Sequence, residues 1–256
     1  MKATLTVLGS GTSMGVPTIG CACAVCNSSD PRDRRTRPSV MVEYDGHAVV
    51  IDTTPDFREQ AIREKIRRLD AVIYTHAHAD HILGLDDLRP LTFWSNKNIP
   101  LYAHDDTANT IRRMFTYIFD GDYKYGGLAQ VELKPVSGPL ELFGARFVPV
   151  KIMHGDAEIH GYRFGSAAYL TDHSDIPEDS IAQLQGLDVL FLDALRKRPH
   201  PTHSSLENSV KLVEQIKPKR AFFTHISHDL GHEETNAALP PHIRLSHDGL
   251  KLEFEL

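Results

Sequence analysis

Between His76 and His81 the chain places three imidazoles and a carboxylate in six residues, His76-Ala77-His78-Ala79-Asp80-His81. The run follows Thr75 and a short apolar stretch, Ala71-Val72-Ile73-Tyr74, that reads as a strand. Side chains of these types, this close together, can converge on one or two cations such as Zn²⁺, Mn²⁺ or Fe²⁺. A metal held this way turns bound water into a nucleophile at neutral pH. The same punctuation recurs along the chain. Asp52 follows Val49-Val50-Ile51, His154 follows Ile152-Met153, Asp172 follows Ala168-Tyr169-Leu170, and His225 follows Phe222-Phe223-Thr224. A buried sheet holds rigidly what its strand ends present, as a preorganised metal site requires. Taken singly, a strand-end Asp is most often a turn former and a lone His a surface or core residue. The crowding from His76 to His81 has no such bland explanation.

The remaining pattern predicts strands alternating with helices. Strands are expected at Ala3–Leu8, Ser39–Tyr44, His47–Ile51, Ala71–Tyr74, Val131–Leu133, Leu140–Phe143, Arg146–Met153, Tyr162–Phe164, Ala167–Leu170, Val189–Leu192 and Ala221–Phe223. Asp45-Gly46 is a two-residue hairpin signal, and Asp248-Gly249 is read the same way between Arg244–Ser246 and Leu250–Phe254. Helices are expected at Pro55–Leu69, where Phe57, Ala61, Ile62, Ile66 and Leu69 share a face, and at Ile82–Leu88, ending before Pro90. Further helices are expected at Thr107–Tyr117, Ser180–Gln185 and Ser204–Ile216. Strand-rich blocks followed by helices, twice over, predict two packed sheets with helices outside.

At 256 residues, 41% hydrophobic and 24% charged, the chain can build a sizeable core, so metal need not be what holds the fold together. A net charge of −6 argues against sequence-blind nucleic-acid binding. No apolar run approaches a membrane span and no signal-peptide core is evident, so the expected compartment is the cytoplasm, with no membrane partner. Oligomeric state, including a homodimer, is left open. The three cysteines all fall between Cys21 and Cys26, as Cys-x-Cys-x₂-Cys. An odd, tightly packed set fits a metal clip better than a disulfide framework, but a closed zinc site needs a fourth ligand. His228, three residues after His225, is close enough to face a neighbouring loop.

The His-x-His-x-Asp-His pattern of Thr75–His81, with Asp52 before it and His154, Asp172 and His225 after it, resembles the metallo-β-lactamase superfamily. The resemblance implies an α/β fold, the four-layer αβ/βα sandwich, as a single domain over residues 1–256 with metals at the edge between two sheets. It implies two divalent ions at the active site, zinc or manganese. One would take His76, His78 and His154, the other Asp80, His81 and His225, with Asp172 bridging. Asp52 would orient the ligand loop by hydrogen bonding. A bridging Asp rather than Cys looks like the hydrolase branches acting on phosphodiesters or thioesters. Asp80 would also accept a hydrogen bond from the attacking water. His203, in Pro199-His200-Pro201-Thr202-His203, stands where the phosphodiesterase branch carries a His that protonates the leaving group, with His200 as competitor. His173, beside Asp172, is placed behind the ligands or at the surface.

The cysteine motif together with Thr224-His225-Ile226-Ser227-His228 is similar to the phosphoribosyl 1,2-cyclic phosphate phosphodiesterases of phosphonate breakdown. That resemblance assigns Cys21, Cys23, Cys26 and His228 to one structural zinc. It implies a metal-dependent hydrolase acting on a small cyclic phosphodiester. Two alternatives share the fold. A tRNA 3′-processing endoribonuclease uses a long basic arm, and no Gly-, Pro- and Lys-rich insertion lies between Asp80 and Ser204. A non-catalytic protein of cofactor biosynthesis would not need every active-site ligand, and here all are present. Three features stand outside this reading. Gly9-Ser10-Gly11-Thr12-Ser13 lacks a nucleotide-loop ending and is read as a tight turn. Arg32, Arg34, Arg35 and Arg37, interspersed with Asp30 and Asp33, read as a solvated loop. Trp94, Tyr117, Phe119, Tyr123 and Tyr125 are read as pocket lining or core packing.

Overall fold

The computed structural model describes residues 1–95, 97–121 and 127–256, without the side chains of residues 94 and 95. Tyr123, Tyr125 and the Trp94 side chain therefore lie outside the described residues. The strands β1 (Lys2–Gly9), β2 (Ser39–Tyr44), β3 (His47–Ile51), β4 (Ala71–Ile73), β5 (Ile99–Ala103) and β6 (Val131–Pro135) belong to the first sheet. The second sheet takes β7 (Leu140–Leu142), β8 (Ala145–His154), β9 (Ala157–Phe164), β10 (Ala167–Leu170), β11 (Val189–Asp193), β12 (Arg220–Thr224) and β13 (Ile243–Leu245). The last strand, β14 (Lys251–Glu255), returns to the first sheet and pairs antiparallel with β1. The spatial orders are β14-β1-β2-β3-β4-β5-β6 and β13-β12-β11-β10-β9-β8-β7.

In each sheet a parallel block, β3 to β6 and β10 to β13, follows antiparallel neighbours. Parallel strands must be covered on both faces, which is why β4, β10 and β11 are apolar almost throughout and wholly buried. Between the sheets, Leu5, Val42, Ile51 and Ile73 pack with Phe147, Tyr162, Phe164 and Phe191. Outside the first sheet, Val50, Val72 and Leu101 meet Phe57 of α1 (Phe57–Arg63) and Ile111, which lies on the helix Asp105–Met114. Outside the second, Val150, Leu190 and Leu192 meet Ile181, Val213 and Ile216. The result is the expected four layers. At β2–β3 the Asp45-Gly46 turn takes positive φ at both residues, as a type I′ hairpin requires.

Several expectations need correcting. The helix read over Pro55–Leu69 ends at Arg63, where Lys65 turns into the left-handed region, and Ile62 on its supposed apolar face is 61% exposed. In place of one helix over Ile82–Leu88 there are three short ones, α2 (Ala79–Ile82), a 3₁₀ turn over Leu85–Leu88, and α3 (Arg89–Ser95). Pro90 lies in the first turn of α3, where its missing N–H costs nothing. Asp248-Gly249 does not close a hairpin. The strand before it joins β12, the strand after it joins β1, and the two belong to different sheets. The helix read over Thr107–Tyr117 is two, α4 (Asp105–Met114) and α5 (Thr116–Phe119), broken at Phe115, whereas α6 (Glu178–Gln183) and α7 (Leu206–Ile216) correspond to predicted ones. Strand β5, helix α3 and helix α8 (His232–Ala238) had no sequence prediction. Arg35 is not solvated. It is 2% exposed and donates to Asp33, Ser227 O and Leu230 O.

Candidate metal centre

The C-terminal ends of β3, β4, β10 and β12, with the end of β8, meet at one edge of the cleft between the sheets. At three of these ends the chain turns sharply through a residue with positive φ: Asp52 at 67°, Asp172 at 60° and His225 at 56°. Asp and His tolerate this conformation better than branched residues do, and such strain concentrates at functional sites. Beyond β4 the chain runs through His76 and His78 into α2, whose single turn carries Asp80 and His81. Gly84 then lets the chain touch the loop after β3, because a Cβ there would lie 1.9 Å from Thr54 O.

Two groups of ligand atoms that share Asp172 result, beside a third of Asp193, His203 and His225. His76, His78, His154 and Asp172 form one, and Asp80, His81, Asp172 and His225 the other, each with its atoms within 4.8 Å of one another. Asp172 belongs to both, as a bridging carboxylate would. His81 Nε2 lies 3.3 Å from Asp172 Oδ2 and 3.4 Å from Asp80 Oδ2, and His225 Nε2 lies 3.2 and 3.6 Å from the same oxygens. Tetrahedral ligation with bonds of about 2.0–2.1 Å would separate ligand atoms by roughly 3.3–3.4 Å. Asp80 Oδ2, His81 Nε2 and His225 Nε2 are buried without a hydrogen-bond partner. Buried polar atoms without partners that face one region are the donor set a divalent cation satisfies, so the residues present fit divalent metal.

The surrounding hydrogen bonds fix which nitrogen each ring offers. Asp52 accepts from Thr75 N at 2.8 Å and Thr75 Oγ1 at 2.7 Å, and its Oδ2 lies 2.7 Å from His81 Nδ1. His154 Nδ1 donates to Thr202 O at 2.6 Å. In both rings Nε2 is left for the centre. Burial and mutual repulsion push His76, His78 and His154 down, which keeps them neutral. For His225 burial opposes the proton, but Asp172 and Asp80 outweigh it and raise the group to about 9. His81 is raised in the same way against its burial.

His203 lies at the same edge, with its ring centroid 4.6 Å from those of both His154 and His225. Its Nδ1 is 2.7 Å from Asp193 Oδ2. Burial, then the neighbouring His225, lowers it to about 4. His200 is half-buried, 5.1 Å from His203, and its Nδ1 is engaged by Thr202. His173 is fully buried with neither ring nitrogen partnered. The sequence reading missed Asp193, although it ends β11 and so repeats the strand-end pattern.

The cysteine loop comes to the same end of the molecule. Cys21, Cys23 and Cys26 Sγ lie 3.1, 3.6 and 3.4 Å from His228 Nδ1. The Cys26 amide donates to Cys23 Sγ and helps pull that thiol down to about 7, whereas burial raises Cys26 to about 11. Arg35, which sequence reasoning had placed in solvent, ties the neighbouring Arg32–Arg37 stretch to the loop after His225 through Ser227 O and Leu230 O.

Comparison with known proteins agrees with this geometry. The model of the beta-lactamase superfamily domain matches residues 47–226. A solved structure described as a new diphosphatase from the PhnP family is 64% identical, with a TM-score of 0.95, covering 100% of this chain and 98% of its own. Zn²⁺-bound PqqB from Methylobacterium extorquens, 20% identical over 97% of this chain and 99% of its own, shares the fold with a TM-score of 0.81. An octanoyltransferase of Porphyromonas gingivalis is 40% identical over 251 residues, 96% of this chain, and the chain spans about half of that protein's length (50%). The chain belongs to the beta-lactamase superfamily and, within it, to the PhnP family.

Proposed function

We propose that the protein hydrolyses a small, cyclic phosphodiester, of the phosphoribosyl 1,2-cyclic phosphate kind, at the edge between its two sheets. The observation that carries this reading is the pair of ligand groups sharing Asp172, with His203 beside them. His76, His78, His154, Asp172, Asp80, His81 and His225 would hold two divalent cations, zinc or manganese, which when bound supply Lewis acidity and a hydroxide at neutral pH. Cys21, Cys23, Cys26 and His228 would hold one structural zinc.

The chain's own groups divide the remaining work. Asp80 Oδ2, buried and unpartnered, accepts a hydrogen bond from the attacking water. Asp52 holds His81 in one tautomer. Asp193 holds His203 through Nδ1, which turns Nε2 toward the substrate. A neutral His203 gains a proton at Nε2 when the phosphate's charge lies beside it, because nearby negative charge favours the imidazolium. It then passes that proton to the departing alkoxide.

A second reading has one observation in its favour: the 64%-identical neighbour is described as a diphosphatase, so a P–O–P linkage is the competing substrate. RNA is disfavoured by the net charge of −6. The test is a substrate panel on metal-loaded protein: a ribose 1,2-cyclic phosphate, bis(p-nitrophenyl) phosphate, a diphosphate diester, a tRNA precursor and an octanoyl thioester. The cyclic phosphate is expected to turn over fastest. Asp80→Ala should lower its kcat by at least about 10²-fold. Cleavage of only the tRNA precursor or only the thioester would reject the proposal, as would an unchanged rate in Asp80→Ala.

A further inference from the structure

The cleft edge continues past the ligands into a cavity of about 980 Å³, lined by His76, His78 and His154 and also by His104, Glu158 and His160. His104 follows β5 as Thr75 follows β4, and His160 lies on β9 of the second sheet. Their rings stack across the cleft with centroids 3.5 Å apart and planes within 10°. The His160 amide reaches Thr75 O at 3.5 Å, directly beside the His76 loop. Parallel rings keep their nitrogens in separate planes, so the pair is not arranged to converge on one ion. It is absent from the ligand groups among the described residues.

Burial pushes both imidazoles down, His160 to about 4, so each carries one N–H and one lone pair at neutral pH. His104 Nε2 is covered and unpartnered. For His160 the nearest carboxylate, Glu158 Oε1, is 4.0 Å from Nε2, outside hydrogen-bond range. Among the described residues no hydrogen bond engages the ring nitrogens of His160. The lining contains Asp105, Asp106 and Glu158 but no Lys or Arg, and nearby Lys151 is held by Glu158 at 2.5 Å. A second phosphate would find no charge partner here, and a desolvated charge without one is costly. Hydroxyl groups would find neutral donors and acceptors.

We propose that the His104–His160 pair is the specificity subsite that holds the hydroxyl-bearing sugar ring of the substrate while its cyclic phosphate lies among the metal ligands and any second phosphate points away from the pair. This rests on the phosphodiesterase reading, and the two can fail separately. The test is calorimetric binding of ribose 5-phosphate and of inorganic phosphate to metal-loaded protein. His160→Ala and His104→Ala should each weaken ribose 5-phosphate about tenfold, as loss of one or two neutral hydrogen bonds implies. Inorganic phosphate should stay within about twofold, because it does not reach the pair. His160→Phe keeps a stacked ring without nitrogens and should match His160→Ala. Ribose 5-phosphate binding no tighter than inorganic phosphate, full affinity in His160→Phe, or an equal loss for both ligands would overturn the subsite. Hydrolysis of bis(p-nitrophenyl) phosphate by the same parent sample reports on the phosphodiesterase reading alone.

Discussion

His225 shows how charge is apportioned in the centre. In the metal-free chain burial works against its proton, but Asp172 and Asp80 hold it up to about 9. His76, His78 and His154 are instead pushed below the ordinary imidazole range. At pH 7 a metal entering the Asp80, His81 and His225 group must therefore displace at least one proton, while the other group is already deprotonated. Metal titration at pH 7 in buffers of different ionisation enthalpy should resolve two events, one with proton release and one without. The proton-linked affinity should fall at least about tenfold per pH unit below 9, since each competing proton contributes one power of ten. Equal proton release in both events would contradict this. His203 gives a second residue-scale prediction: His203→Ala should lower kcat about 10²–10³-fold, the usual contribution of a general acid. Asp193→Asn should reproduce much of that loss by changing the tautomer. Retention of parent-like kcat in both variants would remove His203 from the mechanism. His76 to His81 were legible by their crowding, and His154, Asp172 and His225 because each follows an apolar strand end. Asp193 was not, because an Asp after Leu192 also reads as an ordinary turn former.

The loop carrying Cys21–Cys26 is an element with almost no regular structure, so its position depends on its links to other parts. It meets the chain after β12 through His228, and Arg35 braces the same chain through Ser227 O and Leu230 O. His225 is three residues from His228, so loosening one end of that segment releases the other. Cys26→Ser should remove one metal equivalent per chain by elemental analysis. It should also destabilise the fold by about 3 kcal/mol, a fall of roughly 6–12 °C in Tm. Activity should decline through weaker metal retention, recovering in part at higher metal concentration. An unchanged metal content would rule out the structural site. The cysteine spacing announced this element, but the burial of Arg35 could not be read from sequence. Arginines alternating with aspartates fit a solvated loop equally well until the partner carbonyls, nearly 200 residues away, are in place.

For the molecule as a whole the decisive link is the one that closes it. The chain leaves the second sheet at β13 and returns to the first at β14, and Asp248 sits at the crossing. Its Oδ1 accepts from Ser10 N and Oγ at 2.9 and 2.8 Å, and its Oδ2 from Thr36 N and Oγ1 at 2.9 and 2.6 Å. Arg63 Nη1 adds a contact at 3.2 Å. One carboxylate thus joins the ends of β1, the approach to β2 and the tail of α1. Asp-Gly misled the sequence reading because a hairpin turn and a crossing between sheets use the same local chemistry. Only the pairing of the flanking strands separates them. Asp248→Ala would strand the Ser10 and Thr36 amides, at about 1–3 kcal/mol for each buried donor left unmade. A total near 3 kcal/mol corresponds to a Tm lower by roughly 6–12 °C. Asp248→Asn keeps one acceptor oxygen and turns an amide N–H₂ toward donors on the other side, so it should lose about as much despite its matched volume. Because Ser10 O accepts from the Ile226 amide, next to His225, both variants should also weaken retention of metal at the Asp80, His81 and His225 group. Thermal unfolding and metal affinity on the same samples test the point: a Tm within about 2 °C of the parent would show that the two sheets hold together without this carboxylate.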